Sequence, residues 1–232
     1  MNILLTGASR GIGAAAYDLL RSAGHNVAGH STRGGGELIA GDLADPQAPR
    51  RIWEQAVERL GRIDTLVNNA GIYEAVADDS SDDEWHAAWA RTLTVNLASA
   101  ADLCRLAVAH FREKGGGRIV NVASRAAFRG DSPRHWHYAA SKSAMIGMTR
   151  TIARGYAADN ILAFAVAPGF TVSEMTDDYL QGRGGAAILA DIPLGRVTST
   201  GEVAEAIRWL ATEAPAAATG SVIDLNGASY VR

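Results

Sequence analysis

The sequence predicts an α/β fold, a doubly wound parallel sheet with helices on both of its faces. Short, continuously apolar segments alternate with longer helix-like segments along all 232 residues, and such apolar runs are typical of strands buried on both faces. A glycine-rich segment directly follows the first apolar run, where folds of this class bind phosphate groups. We therefore expect a single domain of Rossmann type over residues 1–232, with about seven strands and the ligand at their carboxyl ends.

The strands are predicted in chain order from the apolar runs. They are Asn2–Leu5, Asn26–His30, Leu38–Ala40, Thr65–Asn68, Arg118–Val122, Leu162–Val166 and Val222–Asp224. Very little sequence separates the second strand from the third, and that segment contains Gly34–Gly36. We therefore expect a loop there in place of the usual helix.

The helices between these strands are predicted from their start signals. Asp45–Pro46 has the pattern of an N-cap followed by proline at the first helical position. Ser81–Glu84 and Ser199–Glu202 both have the spacing of a capping box. The sequence therefore predicts that a helix begins at each of these three places.

The composition favours a protein that binds small molecules. The net charge is −3, whereas domains that bind nucleic acid are usually basic. Cys104 is the only cysteine, which excludes a disulfide framework and a cysteine zinc site. The apolar run Ile3–Leu5 comes almost at once and no apolar stretch approaches membrane-spanning length, so we expect no signal peptide, no membrane partner and a cytoplasmic location.

The segment Thr6–Gly13 has the spacing of a phosphate-binding loop. Gly7, Gly11 and Gly13 stand where the backbone must turn tightly and approach a phosphate closely. The helix that follows, from about Ile12, would direct its unpaired N–H groups to the same point. A flexible turn is the alternative, but the position after the first strand favours a dinucleotide cofactor.

The end of the second strand predicts which dinucleotide is bound. An acidic residue there would bind the adenosine ribose and repel a 2′-phosphate, and the segment His30–Arg33 contains none. Arg10 and Arg33 can supply positive charge, while Ser31 and Thr32 can donate hydrogen bonds. The sequence therefore predicts NADP(H) in preference to NAD(H), and two merely solvated arginines are the alternative.

Three side chains further along form a candidate proton-transfer site. Tyr138 and Lys142, four residues apart, would project from one face of a helix. A free tyrosine has a pKa near ~10, and a nearby ammonium group would lower that pKa toward neutral pH. Ser124, just after a predicted strand, is placed to hydrogen-bond a carbonyl oxygen. With a cofactor that carries hydride, these groups would interconvert a ketone and a secondary alcohol; the alternative is a surface tyrosine and a solvated lysine.

These motifs occur in the order found in the short-chain dehydrogenase/reductase family, which the sequence resembles over essentially its whole length. The matching segments are Thr6–Gly13 (Thr-Gly-x-x-x-Gly-x-Gly), Asn68–Gly71 (Asn-Asn-Ala-Gly), Asn96, Ser124, Tyr138–Lys142 (Tyr-x-x-Ser-Lys), Pro168–Gly169, Ile192–Arg196 and Thr219–Gly227. A tyrosine and a lysine at this spacing arise easily by chance, but the whole set in order does not.

The resemblance implies four catalytic residues, Asn96, Ser124, Tyr138 and Lys142. It implies that Lys142 also binds the nicotinamide ribose and that Asn96 positions a water between Lys142 and solvent; a cap or core hydrogen bond is the alternative for Asn96. Together, the residues and the resemblance place the following in the cofactor site: Gly7, Ser9, Arg10, Gly11, Ile12, Gly13, Ser31, Thr32, Arg33, Asp42, Leu43, Asn69, Ala70, Gly71, Tyr138, Lys142, Pro168, Gly169, Thr171 and Ser173.

The resemblance also implies the activity and the partners. It implies an NADP(H)-dependent enzyme for a small carbonyl or alcohol substrate, with a carrier-bound 3-oxoacyl thioester as the first candidate and a sugar, polyol or cyclic ketone as the second. A non-catalytic NADP(H)-binding regulator is the alternative from another class, although the intact Ser124, Tyr138 and Lys142 argue against it. A homodimer or homotetramer is implied, and we expect no nucleic acid partner.

Two segments are predicted to shape the substrate pocket. The loop Arg125–His137 leads into Tyr138 and is expected to form one wall. Residues 173–195, which include Gly182 and Gly184, are expected to form a mobile lid.

Other side chains of this region have two interpretations each. The loop arginines, Arg125, Arg129 and Arg134, either attract an acidic carrier or thioester or are ordinary surface charge. His135 and His137 have no apparent partner ligands, so we expect pocket-lining or packing roles for them and no metal site. Trp85 and Trp89 are expected in helix packing or a subunit interface.

Overall fold

The structure is a computed structural model that describes residues 1–171 and 185–232. Within these residues, seven parallel strands form one sheet in the order β3-β2-β1-β4-β5-β6-β7. The strands are β1 Asn2–Leu5, β2 Asn26–Ser31, β3 Ile39–Ala40, β4 Thr65–Asn68, β5 Gly117–Val122, β6 Ile161–Pro168 and β7 Val222–Leu225. The predicted α/β fold is confirmed. The largest difference from the predicted bounds is in β6, because its pairing with β7 continues to Pro168.

Helices cover both faces of the sheet. They are α1 Gly11–Ser22, α2 Ala48–Leu60, α3 Asp82–Leu93, α4 Ser99–Lys114, α5 Ala126–Arg129, α6 Trp136–Tyr156, α7 Gly185–Ala190 and α8 Thr200–Thr212. Residues 32–38 form turns between β2 and β3, so the predicted loop there is confirmed. None of the helices in the described part of the chain is long and apolar enough to cross a membrane.

Two of the three predicted helix starts are confirmed. The hydroxyls of Ser81 and Ser199 each accept a hydrogen bond from the backbone N–H three residues later and complete a capping box. The prediction at Asp45–Pro46 is wrong, because α2 begins at Ala48 with Pro49 in its first turn. The Asp45 carboxylate instead accepts a hydrogen bond from the backbone N–H of Gln47 at 2.9 Å, which forms a local turn before the helix.

The core lies on both sides of the sheet because successive residues of each strand point to opposite faces. Leu4 and Leu66 pack on the side of α2 and α4. Leu5 and Val67 pack on the side of α1 and α8. Burial of both faces explains why the strands are continuously apolar in the sequence.

The strand order creates a crevice beside β1. From β1 the chain passes to β2 and β3 on one side and then returns to β4 on the other side. The loops that follow β1 and β4 therefore leave the sheet in opposite directions. This switch point is where open α/β sheets bind their ligands.

Candidate active site

A cleft of about 1350 Å³ opens at the carboxyl ends of the strands. The predicted site residues that line it are Gly7, Ser9, Arg10, Gly11, Ile12, Gly13, Ser31, Thr32, Asp42, Leu43, Asn69, Ala70, Gly71, Ser124, Tyr138, Lys142, Pro168, Gly169 and Thr171. Arg33 and Asn96 are not among the lining residues, and Ser173 lies outside the described residues. The cleft is large enough for a dinucleotide together with a small substrate.

The glycine loop is shaped by its glycines. Gly7 and Gly11 have φ angles of +70° and +56°, a region that favours glycine. A Cβ atom at Gly13 would lie 1.8 Å from the carbonyl oxygen of Gly7, so α1 can pack this closely on the loop only with glycine there. Since α1 begins at Gly11, its unpaired N–H groups lie beside the bare backbone of the loop, an arrangement that suits a phosphate group.

The Asn-Asn-Ala-Gly motif braces this loop. The Asn69 side-chain amide donates to the carbonyl oxygens of Thr6 and Gly7, both at 3.0 Å. The Thr6 hydroxyl oxygen accepts from the backbone N–H groups of Asn69 and Ala70, both at 3.1 Å. The loops after β1 and β4 are therefore held together as one rigid wall of the cleft.

Replacing Gly13 by alanine is expected to damage the cleft because the added methyl group overlaps the Gly7 carbonyl. We expect a thermal midpoint several degrees lower, in keeping with overpacking costs of about 1–3 kcal/mol or more, and at least tenfold weaker NADPH binding by fluorescence titration. Gly147→Ala is the matched control, because a Cβ there meets nothing within 4 Å. Wild-type NADPH affinity in Gly13→Ala would contradict this geometry.

Of the four residues predicted to bind the 2′-phosphate, only some are placed to do so in the structure. Ser31 is buried, and its hydroxyl donates to the carbonyl oxygen of Gly34 at 3.1 Å, so that hydrogen is not available to a ligand. Thr32 and Arg10 are exposed and line the cleft, whereas Arg33 is exposed but does not line it. Arg10 and Thr32 are therefore the better placed of the predicted groups for binding a 2′-phosphate.

His30 is a cleft residue to which the sequence analysis gave no role. It is buried, with Nε2 2.8 Å from the carbonyl oxygen of Gly41 and Nδ1 3.4 Å from the backbone nitrogen of Gly7. The ring must donate through Nε2 and accept through Nδ1, so it is neutral. Burial lowers its pKa in agreement with this, and the neutral ring fixes the first turn of the loop.

Asp42 and Leu43 lie on the cleft wall beyond β3. Asp42 is exposed, and its carboxylate accepts from the backbone N–H of Ala44 at 3.0 Å. Leu43 is buried in the core and also lines the cleft. The acid is thus held at the rim, where the resemblance places a contact with adenine.

The three proposed catalytic side chains come together at the inner end of the cleft. Helix α6 carries Tyr138 and Lys142 on one face, and Ser124 follows β5. The Ser124 side chain lies close enough to the Tyr138 phenol to lower the pKa of that phenol, and its hydroxyl oxygen accepts from the backbone N–H of Ala126 at 3.1 Å. Lys142 is 3 % exposed, and its ammonium group donates to the carbonyl oxygen of Val122 at 2.8 Å, with Nζ 5.8 Å from the centre of the Tyr138 ring.

The expected lowering of the Tyr138 pKa is wrong for the described chain. Burial raises the pKa of Tyr138 to about 12, and the nearby Ser124 side chain, which lowers this pKa, opposes the effect of burial only in part. Burial also lowers the pKa of Lys142 to about 8. Removal of water disfavours the charged form of each group, so the phenol keeps its proton at neutral pH.

Asn96 lies behind the cleft wall in a π-helical turn, Thr94–Ala98, between α3 and α4. It is fully buried. Its amide oxygen accepts from the backbone N–H of Ile72 at 2.8 Å, and its amide nitrogen donates to the Ile72 carbonyl at 3.0 Å and to Ser141 at 3.3 Å. These bonds use the amide within the core, and the water-positioning role of Asn96 stays a prediction.

The wall after β6 is formed by Pro168, Gly169 and Thr171. The Thr171 hydroxyl donates to the carbonyl oxygen of Gly169 at 3.3 Å. Ser173, Gly182, Gly184 and the rest of the predicted lid up to residue 184 lie outside the described residues. The described end of that segment contains α7, and Ala187 and Asp191 line the cleft.

Tyr73 is a second cleft residue that the sequence analysis missed. Its ring stacks on His135 at 3.9 Å and meets the Tyr138 ring edge-on at 4.8 Å, and its hydroxyl donates to Asp131 at 2.9 Å. The available signal was its position two residues after the Asn-Asn-Ala-Gly motif. The contact anchors the 125–137 loop beside Tyr138, and several loop residues line the cleft as expected.

The remaining aromatic and histidine side chains pack together beside this loop. The rings of Trp85 and Trp89 are 5.9 Å apart, and Trp85 also contacts Trp136. His137 is fully buried and its ring lies 5.9 Å from that of Trp89. In the residues that the structure describes, no cluster of three or more potential metal ligands is found.

Comparison with known proteins assigns the family. Residues 7–227 match the family model described as enoyl-(acyl carrier protein) reductase. The chain is 32 % identical to the 3-oxoacyl-(acyl-carrier-protein) reductase FabG of Escherichia coli K12, over 98 % of this chain and 96 % of that protein. It is 34 % identical to the protein of that name from Thermotoga maritima, over 97 % and 95 % of the two chains. The chain therefore belongs to the short-chain dehydrogenase/reductase family and is an oxidoreductase of that family.

Proposed function

We propose that this oxidoreductase uses NADP(H) to interconvert a ketone and a secondary alcohol, with Asn96, Ser124, Tyr138 and Lys142 as its site. The observation that carries the proposal is that the hydroxyl side chains of Ser124 and Tyr138 line the same cleft as the buried Lys142, whose Nζ is 5.8 Å from the centre of the Tyr138 ring. Two hydroxyl donors that meet at one point suit a carbonyl oxygen, whose negative charge develops during reduction.

The described residues fit the cofactor. The loop around Gly7 and Gly13 leaves no room for a Cβ atom, and the start of α1 supplies N–H donors for a diphosphate. Arg10 and Thr32 would hold the 2′-phosphate. Among the described residues the Lys142 ammonium donates one hydrogen bond, to Val122, and with its other two N–H donors it would hold the nicotinamide ribose. The bound nicotinamide supplies or accepts the hydride.

The chain's own groups move the proton. Because burial keeps the Tyr138 phenol protonated at neutral pH, it is ready to donate to the oxygen of a carbonyl substrate. Ser124 hydrogen-bonds the same oxygen and fixes its direction. The positive charge of Lys142 then stabilises the phenolate that remains after the transfer. In the alcohol-to-ketone direction these steps run in reverse.

The wild-type protein is expected to use NADPH with at least tenfold higher kcat/KM than NADH, because Arg10 is the exposed cation that lines the cleft near the end of β2. Arg10→Gln is expected to lower kcat/KM for NADPH about tenfold and to leave that for NADH almost unchanged. Arg50→Gln, in an exposed ion pair on α2, is the control. Equal or better use of NADH by the wild type would overturn the preference.

The names of the relatives support a carrier-bound 3-oxoacyl thioester as substrate. A small polar ketone such as a sugar, polyol-derived or cyclic ketone is the second candidate, favoured by charged side chains that line the cleft, namely Arg91, Arg129, Asp131 and Asp191. A panel of 3-oxoacyl thioesters and small polar ketones, followed by loss of NADPH absorbance, separates the two. Absence of turnover with every thioester would reject the first candidate, and tight NADPH binding without any turnover would favour a regulator.

We also propose that the protein is a cytoplasmic homodimer or homotetramer. The support is the family assignment together with the Trp136 side chain, which is 51 % exposed beside Trp85 and would be covered in an assembly. The molar mass by light scattering tests this, and a monomer at micromolar concentration would contradict it.

A further inference from the structure

Two arginines next to Ser124 reach the substrate half of the cleft and share one carboxylate. Arg125 directly follows Ser124, and Arg129 lies one helical turn later, at the end of α5. The Asp191 carboxylate, just after α7, accepts from Nη1 of Arg129 at 2.5 Å and from Nη1 of Arg125 at 3.5 Å. All three side chains line the cleft.

Arg125 is built into the cleft wall. Its side chain is only 11 % exposed, and its guanidinium lies over the ring of Phe170 at 4.8 Å. Its Nη1 also donates to the hydroxyl of Ser229, and its backbone N–H donates to the carbonyl oxygen of Pro168 at 2.9 Å. A cation fixed and desolvated in this way attracts an anion more strongly than a surface arginine does.

Both guanidinium groups keep one edge available. Within the described part of the chain, the side chains of Arg125 and Arg129 donate hydrogen bonds through Nη1 alone, the Arg129 bonds being to Asp191 and to the carbonyl oxygen of Ser229. Their Nε and Nη2 groups form the planar edge that binds a carboxylate through two parallel hydrogen bonds.

The charged side chains around Arg125 and Arg129 favour binding of an anionic ligand in addition to Asp191. Two guanidinium groups face the carboxylate of Asp191. Burial, and after it the positive charge of Arg129, lower the pKa of Arg125. Asp131, the other acid that lines this part of the cleft, accepts hydrogen bonds from the Tyr73 hydroxyl and the backbone N–H of Ser132. The charge of Asp131 also acts on Arg125, but within the described residues its carboxylate forms no hydrogen bond with either arginine, so their free edges are not occupied by it.

We propose that the substrate carries a free carboxylate close to its reacting carbonyl, bound through the free edges of Arg125 and Arg129, with Asp191 as an internal counter-ion that competes with this carboxylate for the positive charge. The inference rests on the proposed ketone reduction and narrows its substrate to small oxo acids. An acidic carrier protein is a poorer partner for Arg125, because a macromolecular surface cannot reach a side chain so little exposed inside a cleft.

The test compares each oxo acid with its neutral methyl ester. Acetoacetate, 4-oxopentanoate and their methyl esters are titrated calorimetrically into the protein saturated with NADP⁺, where no hydride is available and binding alone is measured. The same four compounds are then assayed for turnover with NADPH. We expect the wild type to prefer at least one acid over its ester by about tenfold or more in both affinity and kcat/KM, because hydrogen bonds to charged groups are worth this much.

Two substitutions give opposite expectations. Arg129→Gln is expected to reduce the acid-to-ester ratio about tenfold and to leave ester binding nearly unchanged. Asp191→Asn is expected to raise acid affinity several-fold, because the competing carboxylate is removed. Arg134→Gln is the control, since this exposed arginine of the same loop does not line the cleft.

The outcomes separate this inference from the proposed function. If both esters bind as well as their acids, or if Asp191→Asn weakens acids and esters alike, the arginines serve only to hold α7 and the chain end, and the inference is wrong. If acids bind selectively but no carbonyl compound is reduced, the carboxylate site stands and the proposed function fails.

Discussion

Tyr138→Phe is expected to lose nearly all turnover, with kcat at least about 100-fold lower, while NADPH binding is retained. The substitution removes the only hydrogen that the ring can donate to a carbonyl oxygen, and a positioned general acid contributes roughly 10²–10⁴-fold to the rate. The ring itself, with its edge-on contact to Tyr73, is preserved. Steady-state kinetics with NADPH and a carbonyl substrate measures the loss, and fluorescence titration measures cofactor affinity.

The control for this result is Tyr156→Phe. Tyr156 lies on the same helix, and its ring contacts Arg112 away from the cleft, so loss of its hydroxyl is expected to leave kcat unchanged. Near-wild-type turnover in Tyr138→Phe would show that Tyr138 is not the general acid.

Lys142→Met is expected to abolish most of the activity and yet to leave the protein as stable as before or more stable at neutral pH. Burial lowers the pKa of Lys142 from 10.5 to about 8, so the charged lysine destabilises the folded protein by about 3 kcal/mol at pH 7. Methionine fills a similar volume without that charge, and only the hydrogen bond to Val122 is lost. Thermal unfolding with kinetics on the same samples measures both effects.

The sign of the pH dependence follows from the same shift. Between pH 8, the folded pKa of Lys142, and about 10.5, its unfolded value, the unfolded chain binds more protons at this position than the folded chain. The wild type therefore gains stability relative to Lys142→Met as the pH rises through this window. Below pH 8 the buried charge of Lys142 destabilises the wild type to the full extent. A stability difference that stays constant from pH 7 to pH 10 would show that Lys142 is not desolvated in this way.

The fold was predictable because its signals are local. Each strand is an uninterrupted apolar run, since both faces of the sheet are covered, and the capping boxes at Ser81 and Ser199 fix two helix starts within three residues. The start of α2 was misplaced because Asp45 and Pro46 have the residue types of a helix start, whereas the carboxylate closes a turn on Gln47. An aspartate can accept a backbone hydrogen bond either in a helix cap or in a turn, and the residue type alone does not distinguish the two.

The sequence predicted most of the residues that form the candidate site, but it did not predict the pKa values of Tyr138 and Lys142 or the ion pairs near them. The motifs identified most of the residues that line the cleft, from Gly7 to Thr171. The pKa values of Tyr138 and Lys142 depend on how much water the surrounding loops exclude, and spacing alone says nothing of that. The pairing of Arg125 with Asp191 joins positions 66 residues apart in the chain, so only the folded structure brings it into view.

A crystal structure of the protein with NADP⁺ bound tests the central claim most directly. We expect the diphosphate against the backbone of Gly11 and Gly13, and the nicotinamide ring facing the Tyr138 hydroxyl with space for one carbonyl group between them. A nicotinamide ring bound away from Tyr138, or a diphosphate held outside the glycine loop, would contradict the account.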